Sequence, residues 1–333
     1  MSFFPATLPA RPGAGKRLAP GARRRYAGVM KMLVFGHGYS AGFLTPLLRA
    51  RGWQVLGTTR RDPGRVAAAG AVPIPWPGAE SRLRSEIATA DAILVSVAPG
   101  PLGDPVLAAF RDDLARARPR WLGYLSTTGV YGDRDGDWVD EDSPLDAAGP
   151  RGQARIRAEA DWRALADQAG LPLHIFRLAG IYGPGRGPFE KIRNGTARRI
   201  VKPGQVFSRI HAEDIAQVLL ASIDRPAPGT AYNVCDDDPA PPQDVLTHAA
   251  DLLGLPPPPE VAFEDAQMTP MARSFYADSK RVSNRRIKRD LGVDLRYPDH
   301  RSGLAAILAA EAASGGASPH GLRPAPVQDP RHD

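Results

Sequence analysis

Apolar positions in this 333-residue chain gather into short runs separated by stretches of helical spacing, and the alternation repeats. Met32–Leu48 (MLVFGHGYSAGFLTPLL) reads as an apolar strand, a tight glycine turn and a helix over about Ala41–Arg51. Gly52–Thr59 follows at crossover distance as a second strand. Val72–Pro77 is too rich in proline for a central strand, which predicts a short edge strand or a loop. Ser81–Ala90 reads as a modest helix, and Ala92–Val97 (AILVSV) as a parallel strand buried on both faces. A helix over about Val106–Arg118 and a strand over Trp121–Ser126 continue the pattern. Strands alternating with helices predict an α/β fold: a Rossmann-type, doubly wound parallel sheet with its crevice at the carboxyl ends of the strands.

Later in the chain, Asp244–Leu253 and Ser302–Ala313 read as helices. The expected organisation is a folded unit over 31–313, with a small α/β substrate lobe built mainly from 184–210 and 235–300. Residues 1–30 and 314–333 are expected to be disordered. The formal charge of +7 changes little in this picture. Arg11, Lys16, Arg17, Arg23, Arg24, Arg25 and Lys31 stand in a leader without an acid, and these seven account for the whole excess. The folded part is therefore expected to be neutral and not to bind nucleic acid. The leader has no apolar core or cleavage site of a secretory signal, and it reads as a product of an upstream start codon, with Met30 or Met32 as the working start. No apolar run approaches the ~18 residues that a membrane span needs. Cys235 is the single cysteine, so neither a disulfide framework nor a cysteine zinc cluster is expected, nor any other metal, and a reducing, cytoplasmic setting fits.

The candidate chemistry begins at the first turn. Gly36 and Gly38 supply G-x-G, and Ala41 stands where a third small residue lets helix and strand pack closely. With Tyr39 and Ser40 they are the expected seat of a dinucleotide pyrophosphate, at the positive end of the helix. The second strand ends Thr58-Thr59-Arg60-Arg61, with an acid only at Asp62. A guanidinium at Arg60 suits a ribose 2′-phosphate, so NADP is expected, with NAD the alternative. Ser96, Ala98 and Pro99, where the third apolar run stops, are expected to line the cofactor.

Several later motifs fall in one order: Ser126-Thr127-Thr128-Gly129-Val130-Tyr131-Gly132, the acidic stretch Asp140–Pro144, Arg177–Arg186 (RLAGIYGPGR), Ile210-His211-Ala212-Glu213-Asp214-Ile215-Ala216 and Tyr232-Asn233-Val234. Through them the chain resembles the extended, atypical short-chain dehydrogenase/reductases, the NAD(P)-dependent epimerases and dehydratases. The resemblance implies a nicotinamide cofactor, a small-molecule substrate, often a homodimer, and a catalytic Ser/Thr at Thr127. It also implies an acid/base pair Tyr-x-x-x-Lys, and here the chain departs: Arg151 and Arg155 stand in those positions. An arginine, with its pKa above about 12, exchanges no proton near neutrality. Arg155 is expected to hold the nicotinamide ribose, with Arg151 one turn away on the same helix face, ready to clamp an anionic group. Tyr131 is the remaining candidate for the lost phenol. Arg186 and Arg209, with Lys191 and Arg193, make the substrate crevice cationic, which favours an anionic substrate. His211 is expected to pack or to bond backbone. Tyr276-Ala277-Asp278-Ser279-Lys280 spells Y-x-x-x-K far from the expected helix and is read as chance recurrence. Two functions stay open: an oxidoreductase or epimerase-like enzyme, and a catalytically silent NADP-binding sensor or scaffold.

Overall fold

The computed structural model describes residues 29–313; the leader and the tail expected to be disordered lie outside them. The strands β1 (Lys31–Phe35), β2 (Gln54–Thr59), β3 (Val72–Pro75), β4 (Ala92–Val95) and β5 (Trp121–Thr127) join Leu173–Leu178 and Ala231–Val234 in one seven-stranded sheet. Its order is 3-2-1-4-5, then the last two, and every pairing is parallel. This is the doubly wound Rossmann-type architecture, and β3 lies at its edge, where prolines forfeit no ladder bond that a second neighbour would need.

Helices cover both faces. Successive side chains of a strand point to opposite sides, so Met32 and Val34 of β1 enter one core while Leu33 and Phe35 enter the other. The first core is closed by α1 (Tyr39–Ala50) packed on helix Ala212–Asp224. The second is closed by α3 (Glu80–Thr89), α4 (Pro105–Arg116) and α5 (Pro150–Ala169), while the short α2 (Pro63–Ala68) leads into β3. A third core, with Tyr182, Phe189, Val245 and Leu304, fills the lobe. Short parallel pairs bind the lobe to the sheet: Arg209–His211 with Gly180–Tyr182, and Arg281–Val282 with Trp138–Val139. The second pair brings the 276–282 segment back over the end of β5.

Candidate functional site

The corner between β1 and α1 is built almost entirely from backbone. Gly36 sits at φ +78°, and a Cβ there would lie 2.8 Å from Val97 Cγ2, so the turn requires glycine. Its N–H donates to Thr58 Oγ1 (2.7 Å), and the His37 N–H donates to the Thr58 carbonyl (2.9 Å). The His37 ring lies on Gly57, where a Cβ would come within 2.6 Å of it, and its Nε2 bonds Thr45 Oγ1 (2.7 Å). Burial holds the imidazole neutral, at a pKa of about 4.

Gly38 differs from these. A Cβ on it would meet nothing nearer than the Gly36 carbonyl at 3.7 Å, and its φ of −99° suits any residue. The chain's own packing therefore leaves open the space that a side chain at 38 would fill. α1 begins there with no side-chain cap and no acid in its first turn, so its N–H groups are left for an anion. These two observations fit a dinucleotide pyrophosphate. Ala41 is buried against the sheet, as close helix–strand packing requires. Tyr39 turns instead toward the lobe: its hydroxyl donates to the Pro184 carbonyl (3.0 Å), and the Arg186 guanidinium lies 5.6 Å over its ring. Arg60 and Arg61 are exposed at the tip of β2.

From Ser40 a cleft of about 690 Å³ runs across the carboxyl ends of β4 and β5 to the lobe. Ser96 lines it, whereas Ala98 and Pro99 do not. Thr127 lines it too, and its Oγ1 accepts from the Gly129 N–H (3.1 Å) to start a one-turn helix over Thr128–Tyr131. Beside it Ser126 is buried, its hydroxyl without a partner among the described residues. Arg155 faces the same space, with Nη1 donating to the Leu125 carbonyl (2.6 Å) and to Tyr124 Oη (3.2 Å). Arg186 and Arg209 line the lobe side. Arg209 Nη1 donates to the Phe207 and Ala240 carbonyls (2.8 and 3.0 Å), and burial lowers its pKa.

Two expectations are corrected. Arg151 is exposed in the first turn of α5 and does not line this cleft; only the residue one turn deeper meets the end of β5. Tyr131 is fully buried away from the cleft, donating to Asn233 Oδ1 (2.6 Å) and accepting from Arg177 Nη1 (2.8 Å). Burial pushes its phenol up to about 12, and Arg177 is itself held in a two-pronged pair with buried Glu159 (3.2 and 2.9 Å). Tyr131 is a structural strut.

The segment dismissed as chance recurrence is, by contrast, in the cleft. Tyr276, Asp278 and Lys280 all line it, although the preceding helix stops at Phe275 and the three share no helical face. The Tyr276 ring is wedged between Phe207 and Phe263 (5.4 and 5.5 Å between centroids). Lys280 Nζ donates to the Gly132 carbonyl (2.6 Å) and pairs with Asp278 (3.1 Å), and desolvation lowers its pKa. No periodicity announces this placement; it follows from the two-residue pairing of Arg281–Val282 with Trp138–Val139. His211 packs as expected, 4.0 Å from the Tyr297 ring and capping the helix that follows it. Lys191 and Arg193 are exposed outside the cleft, with Arg193 paired to Glu311 (2.8 Å). No described helix is long and apolar enough to cross a membrane.

A parallel sheet in this order, a glycine corner left open at Gly38 and a cleft under a C-terminal lobe define a Rossmann-type, NAD(P)-binding fold. The family model of the NAD dependent epimerase/dehydratase family matches residues 105–235. A solved, functionally unknown conserved protein from Silicibacter pomeroyi is 55% identical, with a TM-score of 0.79 over 84% of this chain and 99% of that one. Protein YeeZ of Escherichia coli (strain K12) is 29% identical over 292 residues, 81% of this chain and 97% of YeeZ. The human epimerase family protein SDR39U1, solved with NADPH, shares the fold at 21% identity and a TM-score of 0.67, over 84% of this chain and 99% of that one.

Proposed function

We propose that this protein is an NADP-binding oxidoreductase or epimerase-like enzyme acting on a small or sugar-like anionic substrate. The observation that carries the reading is the cleft that runs from Ser40, in the first turn of α1, past Ser96 and Thr127 to Arg186 and Arg209 on the lobe side. In this scheme Gly36, Gly38 and Ser40 seat the pyrophosphate and Arg60 meets the 2′-phosphate. Ser126 and Thr127 orient the reacting carbonyl or hydroxyl, Arg155 holds the ribose, and Arg186 and Arg209 hold the anionic part. The nicotinamide supplies the hydride chemistry when bound. Proton exchange is assigned to the lobe segment, where Tyr276, Asp278 and Lys280 line the cleft. Neighbours of this fold were solved with either cofactor, NADPH in the human protein and NAD in a UDP-glucuronic acid 4-epimerase from Bacillus cereus. The single, fully buried Cys235 suits a cytoplasmic protein.

Calorimetric titration of the purified chain with NADPH and NADH tests the cofactor, and tighter binding of NADPH is expected. Loss of absorbance from bound NADPH is then followed with a panel of anionic carbonyl compounds and nucleotide sugars. A second reading, a silent cofactor-binding sensor or scaffold, is favoured by the arginines at both acid/base positions and by the engagement of Arg155 with Leu125. Binding without turnover across the panel selects it.

A further inference from the structure

Beside the lobe end of the cleft lies a second, smaller chamber of about 280 Å³. The two spaces share Tyr182, Arg186 and Arg209, which line both. Away from those three the chamber's wall is largely apolar. Pro188 comes from the end of the loop that leaves the cleft, and Pro242, Val245 and Leu246 from the first turns of helix Pro242–Leu252. Leu304 comes from helix His300–Ala313, which packs on that helix. The polar groups at the edge are already engaged: the Tyr182 hydroxyl donates to the Asp299 carbonyl (3.2 Å), and His300 Nδ1 lies 3.2 Å from Asp238 Oδ2. Burial lowers the His300 pKa and the Arg209 charge adds to it, so this imidazole is neutral near pH 7. Among the described residues that line the chamber, charge is therefore confined to the two arginines where it meets the cleft.

We propose that this chamber is a specificity subsite and that the substrate is an anion carrying a ring-sized apolar group. The anion meets Arg186 and Arg209, and the apolar group enters between Val245, Leu246 and Leu304. This rests on the reading that the cleft takes a small anionic substrate, and it narrows that class. The size suits one substituted ring, since a cavity of about 150 Å³ with apolar walls takes up benzene. The wall does not suit a nucleotide base, whose polar edge would be buried against prolines and aliphatic carbons with nothing to bond. An apolar ring, by contrast, gains its transfer free energy there, worth roughly ten- to a hundredfold in affinity.

The test is titration of the full chain, with NADPH present, by 3-phenylpropionate, propionate and UDP-glucose, followed by NMR of labelled leucine and valine methyls. The phenyl acid is expected to bind roughly ten- to a hundredfold tighter than propionate, with contacts from its ring protons to the Leu246 and Leu304 methyls. Leu246→Trp, which fills the chamber, is expected to remove most of that difference. Leu246→Ala, which deepens it, is expected to pass the preference to the naphthyl homologue, and thermal melts confirm folding of both variants. Equal binding of the two acids, or ring contacts away from these methyls, overturns the proposal and leaves an anionic substrate in the cleft. So does UDP-glucose binding tighter than the phenyl acid with its base at the same methyls. A phenyl preference that survives Leu246→Trp makes the chamber a packing gap of the lobe and also overturns the proposal. Should none of the three bind, the subsite and the anionic substrate fall together.

Discussion

The two ends of the cleft are made in opposite ways. At the glycine corner, backbone groups from one contiguous stretch do the positioning, and each small residue is explained by what a Cβ would strike or leave open. At the substrate end, the wall is assembled from side chains of β5, α5, the loop at 183–187 and the 276–282 segment, distant in sequence. A site made of backbone survives many changes of side chain, whereas a site made of side chains can keep its cavity while its chemistry is exchanged. In this chain α5 presents Arg155 to the cleft, and Tyr276, Asp278 and Lys280 reach it from the lobe.

The largest test of this contrast removes the anchor behind the substrate wall. Glu159→Ala leaves Arg177 buried without its partner and is expected to cost about 3–5 kcal/mol in urea unfolding; a loss under ~1 kcal/mol would show that the wall does not depend on the pair. Next, Gly57→Ala drives a methyl into the His37 ring and is expected to cost about 1–3 kcal/mol and to weaken NADPH in the same titration. Unchanged affinity would mean that the corner is less rigid than its bonds imply. Tyr131→Phe takes a partner from Asn233 and Arg177, at a cost of about 1–2 kcal/mol, with NADPH affinity retained. A fall in turnover without a fall in stability would return Tyr131 to the chemistry.

The smallest effect is a titration. The folded His37 imidazole is drawn down from 6.5 to about 4, so between those values the unfolded chain takes up a proton that the folded chain refuses, and this group's contribution to stability falls as pH falls. Asp236, pushed up to about 8 by burial, works in the other direction across that window, so the ring itself is the readout. Its NMR shifts are expected to stay those of neutral imidazole down to about pH 4. A midpoint near 6.5 would mean that the corner is open to water.

Reading the chain in order recovered the first five strands and α1, α3 and α4 between them, because a strand buried on both faces reads as a continuous apolar run and a helix as a 3.6-residue period, and both signals are local. Thr127 was equally readable, since it ends a strand. The surroundings of Tyr131 and Lys280 were not legible in the sequence, for one shared reason. Whether a phenol or an ammonium faces a cleft or a strut depends on partners more than 100 residues away, Asn233 for one and Gly132 for the other.

By itself, then, the sequence determined the Rossmann-type architecture and the glycine corner, since both are written in neighbouring residues under local steric and hydrophobic rules. Only the tertiary structure decided which titratable groups meet in the cleft. That choice is made by long-range pairing, chiefly of Arg281–Val282 with Trp138–Val139, and by the desolvation that packing imposes on the groups it encloses.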